Sequence, residues 1–204
     1  MKRRGVKDTY QTIIGMSGAE FVEKRSRFIS FAHFVQDEAD AEAKVSLYRK
    51  KYNDARHVCY AYRIGKEYER YRDNDDGEPS GTAGRPILGR IDSYNLTFVL
   101  VVVIRYFGGI KLGTGGLVVA YQEAAEKALQ KARIISKVIG EVISFRYPYT
   151  ATNEVNQILH GVEYQLLNEV YGEDCFLELE IRKREVNKIR EALLNHPEIS
   201  FMAE

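Results

Sequence analysis

Arg105 and Lys111 bracket the most glycine-dense stretch of the chain, Arg105-Tyr106-Phe107-Gly108-Gly109-Ile110-Lys111-Leu112-Gly113-Thr114-Gly115-Gly116. Glycine loses more conformational freedom on folding than any other residue, so this density needs positive φ or close backbone approach to justify it. The run follows an apolar strand, Phe98 to Ile104, and precedes a helix-like stretch, Leu117 to Arg133. A turn from strand to helix N-terminus presents free amides and the positive end of the helix dipole. With Arg105 and Lys111 beside it, such a turn could hold one anion: a phosphate of RNA or a nucleotide, or a partner's carboxylate. The plain alternative is a turn whose glycines serve backbone geometry alone.

A second run lies upstream, Gly77-Glu78-Pro79-Ser80-Gly81-Thr82-Ala83-Gly84-Arg85-Pro86, and nine of the sixteen glycines fall between Gly77 and Gly116. Two such loops suggest a shared surface on which main-chain amides meet a partner. Asp73, Asp75, Asp76 and Glu78 enter the first loop. They could act as acid–base groups or divalent-metal ligands, or simply cap a solvated hairpin end. His57 and Cys59 stand two apart in a strand pattern and so share a face. A Cys–His nucleophile is conceivable there, although no third, orienting residue is evident and the two could merely pack together.

Several familiar motifs fail on inspection. Setting Gly77 as the turn glycine of a calcium loop puts Arg72 at the first ligand position and Ala83 at the bidentate glutamate position. Gly108–Thr114 imitates a phosphate-binding loop but has Thr114 where the lysine belongs. Gly113-Thr114-Gly115-Gly116 reaches Val118 where the last glycine of a dinucleotide fingerprint would stand. No zinc-protease helix or serine elbow is present. No cofactor, metal site or catalytic set is implied by these residues.

Composition sets the broad class. The chain has 204 residues, 45% hydrophobic and 29% charged, which suits one large or two small globular domains. Its longest apolar run is strand-sized, and Lys2, Arg3 and Arg4 are followed by no apolar stretch, so neither a membrane span nor a secretory signal is expected. Cys59 and Cys175 are too far apart for a metal or redox motif and read as free thiols in the cytoplasm. The net charge of +1 conceals an asymmetry: residues 1–137 carry 24 Lys and Arg against 17 Asp and Glu, a balance of +7, while residues 138–204 carry 6 against 12, a balance of −6. The first part could face nucleic acid or an acidic partner, unless both parts are simply solvated.

The elements that must position these residues follow from periodicity. Short strands are expected at Tyr10–Ile14 and Ala19–Val22, and a longer one at Arg27–Val35 with Phe28, Ser30, Ala32 and Phe34 on one face. A helix follows from Asp37 to about Tyr52, acidic at its start and basic at its end. His57–Ile64 and Tyr68–Arg72 read as a hairpin around Gly65-Lys66, with a short helix after Thr82 and a helix over 114–133 carrying Leu117, Ala120, Tyr121, Ala124, Ala125, Ala128 and Leu129 on one face. The pattern restarts near Val138 with strand 138–147, helix 153–159, strands 164–171 and 175–181, helix 184–194 and a short strand 199–201. That order, βαββαβ, is the ferredoxin-like arrangement. The expected domains are 1–137 and 138–204.

At these residues the sequence resembles the IMPACT/YigZ family over essentially its whole length, most closely the bacterial two-domain members. The resemblance rests on Lys24-Arg25-Ser26-Arg27-Phe28-Ile29, Ala55-Arg56-His57-Val58-Cys59-Tyr60-Ala61-Tyr62, Asp75-Asp76-Gly77-Glu78-Pro79-Ser80-Gly81-Thr82-Ala83-Gly84 and Arg105 through Leu117. Many relatives have arginine where Val119 stands, which removes a basic group from the first turn of that helix. The resemblance implies an α+β N-terminal domain with the fold shared by GHMP kinases and domain IV of elongation factor G, and a ferredoxin-like C-terminal domain similar to domains III and V of that factor. Eukaryotic relatives regulate translation by competing for a large ribosome-associated activator of a stress kinase, whereas bacterial members have no settled activity.

The leading expectation is a cytoplasmic, non-enzymatic binding protein of the translation apparatus, contacting RNA or a ribosome-associated protein and no membrane. The binding residues would be His57, Glu78, Pro79, Gly81, Thr82, Gly84, Arg105, Tyr106, Gly108, Gly109, Lys111, Gly113, Gly115 and Gly116. The alternative is a phosphate- or nucleotide-binding enzyme using the Arg105–Gly116 loop, with Asp75, Asp76 or Glu78 as metal ligands or base. Convergence of His57, Glu78, Arg105 and Lys111 in one deep pocket would favour the enzyme; their spread over an open face would favour the binder.

Overall fold

The apolar run through Val99–Ile104 is buried on both of its faces, and this fixes the layers of the larger part of the molecule. The structure, a computed structural model, describes residues 8–201. It divides into two compact units: Tyr10–Lys137, and Val138 onward together with Asp8 and Thr9.

In chain order the first unit contains β1 (Thr9–Ile14), β2 (Met16–Glu23), β3 (Ser26–Phe34), α1 (Glu38–Lys51), β4 (His57–Ile64), β5 (Arg70–Asn74), α2 (Gly84–Ser93), β6 (Val99–Tyr106), α3 (Gly113–Gln130) and β7 (Arg133–Val138). Five strands form an antiparallel sheet in the order β2-β3-β6-β4-β5, with β6 at its centre. Alternate residues of β6 serve opposite layers. Val99, Val101 and Val103 join Phe28, Ala32 and Cys59 beneath α2 and α3. Leu100, Val102 and Ile104 join Val58, Tyr60 and Tyr62 beneath α1. A strand covered on both sides has no polar face, hence the unbroken apolar run.

The helices obey local signals. Asp37 caps α1 by accepting from the Asp40 amide at 2.8 Å, and Arg49, Lys50 and Lys51 close its last turn. Ala120, Ala124, Ala125 and Ala128 are all buried, so α3 lies close on the sheet. Two departures from the sequence reading stand out. The helix expected over 114–133 stops at Gln130, and Arg133–Val138 is a strand paired with β1. The β-branched pair Ile134-Ile135 favours a strand, but its partner lies at the other end of the unit, out of reach of a local pattern. The second strand of the hairpin is also displaced, to Arg70–Asn74, because Tyr68 takes a positive φ of 65° and lengthens the turn.

The second unit runs β8 (Gly140–Pro148), a 3-10 turn at Tyr149–Ala151, α4 (Thr152–Leu159), β9 (Tyr164–Val170), β10 (Asp174–Arg182), α5 (Lys183–Leu194) and β11 (Ser200–Phe201). Its sheet order is β11-β8-β10-β9. Phe145, Leu179 and Ile181 pack against Val155, Val186 and Leu193 of the two helices. Each unit holds one buried free thiol, Cys59 and Cys175 respectively. Among the described residues no helix is long and apolar enough to cross a membrane.

Two glycines of α2 provide a paired test of this packing. A Cβ at residue 84 would lie 2.5 Å from the Asn74 backbone nitrogen, whereas one at Gly89 would meet open space. Gly84→Ala should cost about 1–3 kcal/mol through overpacking. Gly89→Ala should leave stability unchanged or raise it by up to roughly 1 kcal/mol. Thermal melts of the two variants check the pair, and equal melting temperatures would contradict the packing.

Candidate functional site

Pairing of β4 with β6 sets His57 directly opposite Arg105, at the sheet end where both glycine loops emerge. The first loop brings Glu78 over this pair. Glu78 Oε1 accepts from Arg105 Nη1 at 2.5 Å and from the Tyr121 hydroxyl of α3 at 2.9 Å, while His57 Nε2 lies 3.7 Å away. Only 4% of the Glu78 side chain and 6% of the Arg105 side chain are exposed. A buried pair of this kind holds only when hydrogen bonds satisfy both charges. The second guanidinium nitrogen of Arg105 reaches Ser26 Oγ at 3.4 Å, and the group lies 5.6 Å from the rings of Phe28 and Phe107.

His57, Glu78 and Arg105 form the floor of a cleft of about 580 Å³. Its walls are Arg56, Pro79, Phe107, Lys111, Leu112, Gly113, Thr114 and Leu117. The volume is that of a small-ligand site. The first turn of α3 enters the cleft with no side-chain cap on its amides, so the positive end of the helix dipole is available there. Arg56 and Lys111 are exposed and make no ion pair among the described residues.

Protonation states follow from the contacts. His57 Nδ1 lies 2.7 Å from the Asp76 carbonyl, which can only accept. Nδ1 therefore carries a proton, and Nε2 is the nitrogen turned toward Glu78. This carbonyl is the orienting group absent from the linear pattern. Burial pushes the Cys59 thiol far above its usual range, and burial does the same to the Tyr121 hydroxyl. Cys59 Sγ sits 3.0 Å from the Asp75 carbonyl and 3.3 Å from Tyr121. It is a protonated, inert thiol, which removes the Cys–His nucleophile.

The expected site residues separate into two groups. His57, Glu78, Pro79, Arg105, Lys111 and Gly113 line the cleft. Gly81, Thr82 and Gly84 do not: the Asp75 carboxylate accepts from the amides of Gly81, Ala83 and Gly84 at 2.7–2.9 Å, and Thr82 donates to the Pro79 carbonyl at 2.6 Å. The amides of Gly81, Ala83 and Gly84 are thus committed to Asp75, not offered to a partner. Tyr106 turns to Asp54, and Gly108 is glycine because a Cβ would overlap the Arg25 carbonyl. Gly109 adopts φ +87° outside the cleft lining, and Gly115 and Gly116 line a different groove beside Phe21, Lys24 and Val119. Arg105 is also reassigned: its charge is compensated by Glu78 and is not free for an anion.

Two of the three donors of the metal-ligand alternative are spent in the same way. Asp75 is spent on the loop, and Asp76 accepts from the Val58 amide and from Arg49 at 2.7 and 2.9 Å. Among the described residues no group of three or more His, Cys, Asp or Glu side chains could hold a metal ion. Sequence reasoning passed over Arg56, Phe107 and Thr114 as lining residues. The available signal was Phe107, a large apolar residue inside a polar, glycine-rich loop, and 50% exposed in the fold.

Residues 24–129 match the Impact N-terminal domain. The chain is 33% identical over 183 residues to the IMPACT family member YvyE of Bacillus subtilis (strain 168), covering 90% of this chain and 84% of that protein. This chain belongs to the IMPACT family. A Thermus thermophilus IMPACT family member is 42% identical over 138 residues, 68% of this chain and 74% of that protein. Among solved structures, a crystal structure described as that of a hypothetical protein shares 27% identity and a TM-score of 0.72 over 98% of both chains. The matched Impact N-terminal segment contains both glycine loops and all the residues that line the cleft.

Asp75 supplies the test of this architecture. Burial raises its carboxyl, but the Gly81, Gly84 and Ala83 amides outweigh that and hold it below its ordinary value. A depressed carboxyl contributes stability above its unfolded pKa of about 3.9 and loses it as pH falls through the folded value. Asp75→Asn should therefore melt several degrees lower than wild type at pH 7, and the gap should close below about pH 4. A gap that stays constant with pH would mean the carboxylate does not organise the loop.

Proposed function

We propose that this IMPACT family protein is a regulator of translation that binds RNA, seating a phosphate at the mouth of the cleft between its two loops. The observation that carries the reading is the convergence of Lys111, Arg56 and the uncapped amides of α3 on one cleft in the unit of positive charge. Cations together with a helix N-terminus suit phosphate geometry, and Phe107 adds a half-exposed ring for base stacking. The family resemblance supports the link to translation. Within the same proposal, the βαββαβ order of the second unit makes it a ferredoxin-like module akin to those of elongation factor G, with the first unit akin to that factor's domain IV.

One observation favours a second reading. His57, Glu78, Arg105 and Lys111 do meet in one cleft, and His57 is oriented by the Asp76 carbonyl with Nε2 beside Glu78. An imidazole held this way can take a proton from water during hydrolysis of a bound phosphate ester. Turnover of such an ester that His57→Gln abolishes would establish this enzyme. Binding without turnover leaves recognition as the function.

Titration of short single-stranded RNA by fluorescence anisotropy tests the main proposal. Affinity should fall with salt at a log–log slope of roughly −0.7 per phosphate contact. Lys111→Ala and Arg56→Ala should each weaken binding to every sequence and make the slope shallower by about one contact's share. Arg105→Ala should instead strand Glu78 and cost about 3–5 kcal/mol of stability. Binding that ignores salt and both surface substitutions would identify a protein partner, and no binding at low salt would remove RNA.

A further inference from the structure

We propose that Glu78 accepts a hydrogen bond from the ribose 2′-hydroxyl of the bound strand, so that the cleft selects RNA over DNA. This rests on the reading of the cleft as a phosphate-binding RNA site and assigns the group that meets its floor. Glu78 Oε1 already takes Arg105 and Tyr121, while Oε2 has no partner among the described residues. The side chain is 4% exposed and lines the cleft. An unpartnered carboxylate oxygen at the cleft surface is an acceptor open to a donor, and it repels phosphate.

His57 lies beside this carboxylate, its Nδ1 proton committed to the Asp76 carbonyl and its Nε2 3.7 Å from Oε1. The floor therefore offers an open carboxylate oxygen, while the mouth is lined by cations and amides. The ligand must carry a donor at one end and an anion at the other. In a nucleic-acid strand, phosphates, bridging oxygens and the sugar ring oxygen only accept. The 2′-hydroxyl is the one donor that every ribonucleotide offers whatever its base. A free 5′-ribonucleotide offers the same phosphate and hydroxyl, so the two sources share their chemistry.

The experiment compares three 12-nucleotide polyadenylate strands with the intact wild-type protein at one salt concentration: RNA, DNA, and RNA with 2′-fluorine in place of the hydroxyl. Fluorine keeps the ribose-like ring shape but cannot donate. RNA should bind roughly 10- to 100-fold more tightly than both other strands, the range expected for a hydrogen bond to a charged group. Equal binding of RNA and the 2′-fluoro strand, or of RNA and DNA, would overturn the Glu78 assignment while leaving the phosphate site intact. Failure of all three strands to bind would instead remove the RNA reading on which it rests.

Adenosine 5′-monophosphate and its 2′-deoxy form, tested alone, separate the two sources. Binding of the mononucleotide with the same 2′ preference, without binding of the strands, keeps Glu78 as acceptor and makes the free nucleotide the ligand. Glu78→Gln should shrink the RNA-to-DNA ratio severalfold. Should that variant fail to fold, the wild-type 2′-fluoro comparison decides alone.

Discussion

Glu78 is a carboxylate with 4% of its side chain exposed, and burying that charge alone would cost far more than a domain can spare. Arg105 and Tyr121 make the burial tolerable, each from a different element. The requirement propagates outward. Arg105 must stand at the end of β6, so β6 must pair with β4 in the register that faces it to His57. Tyr121 must project from α3 onto the same point, so the small residues of α3 must let the helix approach the sheet. Glu78 must arrive from the loop between β5 and α2, whose path Asp75 controls.

The two glycine loops look alike in composition and are built for different reasons. The first wraps around a single carboxylate. Asp75 gathers three amides at the start of α2, where the helix dipole favours a negative charge. The second is shaped by close approach. Its Gly108 lies on the tip of the β2–β3 hairpin, where Lys24 and Arg25 both adopt positive φ, at 43° and 66°. A two-residue hairpin turn of this hand usually employs Asn-Gly, so a Lys-Arg pair there stores backbone strain. Only after these constraints are met does the second loop release α3 into the cleft with its amides uncapped.

In the proposed reading, a floor of buried side chains and a mouth of exposed cations divide the work of recognition. The floor is held by strands covered on both faces, so its groups need little reorganisation when a ligand arrives. The cations sit on flexible stems, and under that proposal their attraction would be salt-sensitive. Neutralising Arg105 internally matters here. A free guanidinium on the floor would draw phosphate inward, whereas the Glu78–Arg105 pair compensates that charge within the fold.

Local pattern was enough to determine most of the elements: the apolar run of β6, the capped start of α1, the small face of α3 and the alternation in the second unit each depend on residues within a few positions of one another. Family membership was equally legible, because long runs such as Asp75–Gly84 and Arg105–Leu117 are contiguous. The roles of individual site residues were not. Nothing within reach of Asp75 along the chain says that it will consume the amides of Gly81 and Gly84. Nor does the sequence near Arg105 say that its charge will be met by Glu78, 27 residues away. Even the strand at Arg133–Val138 waited for β1 to be placed beside it. Those facts depend on strand order and on which helix covers which face, and only long-range packing decides which polar groups are used up inside the fold and which remain for a ligand.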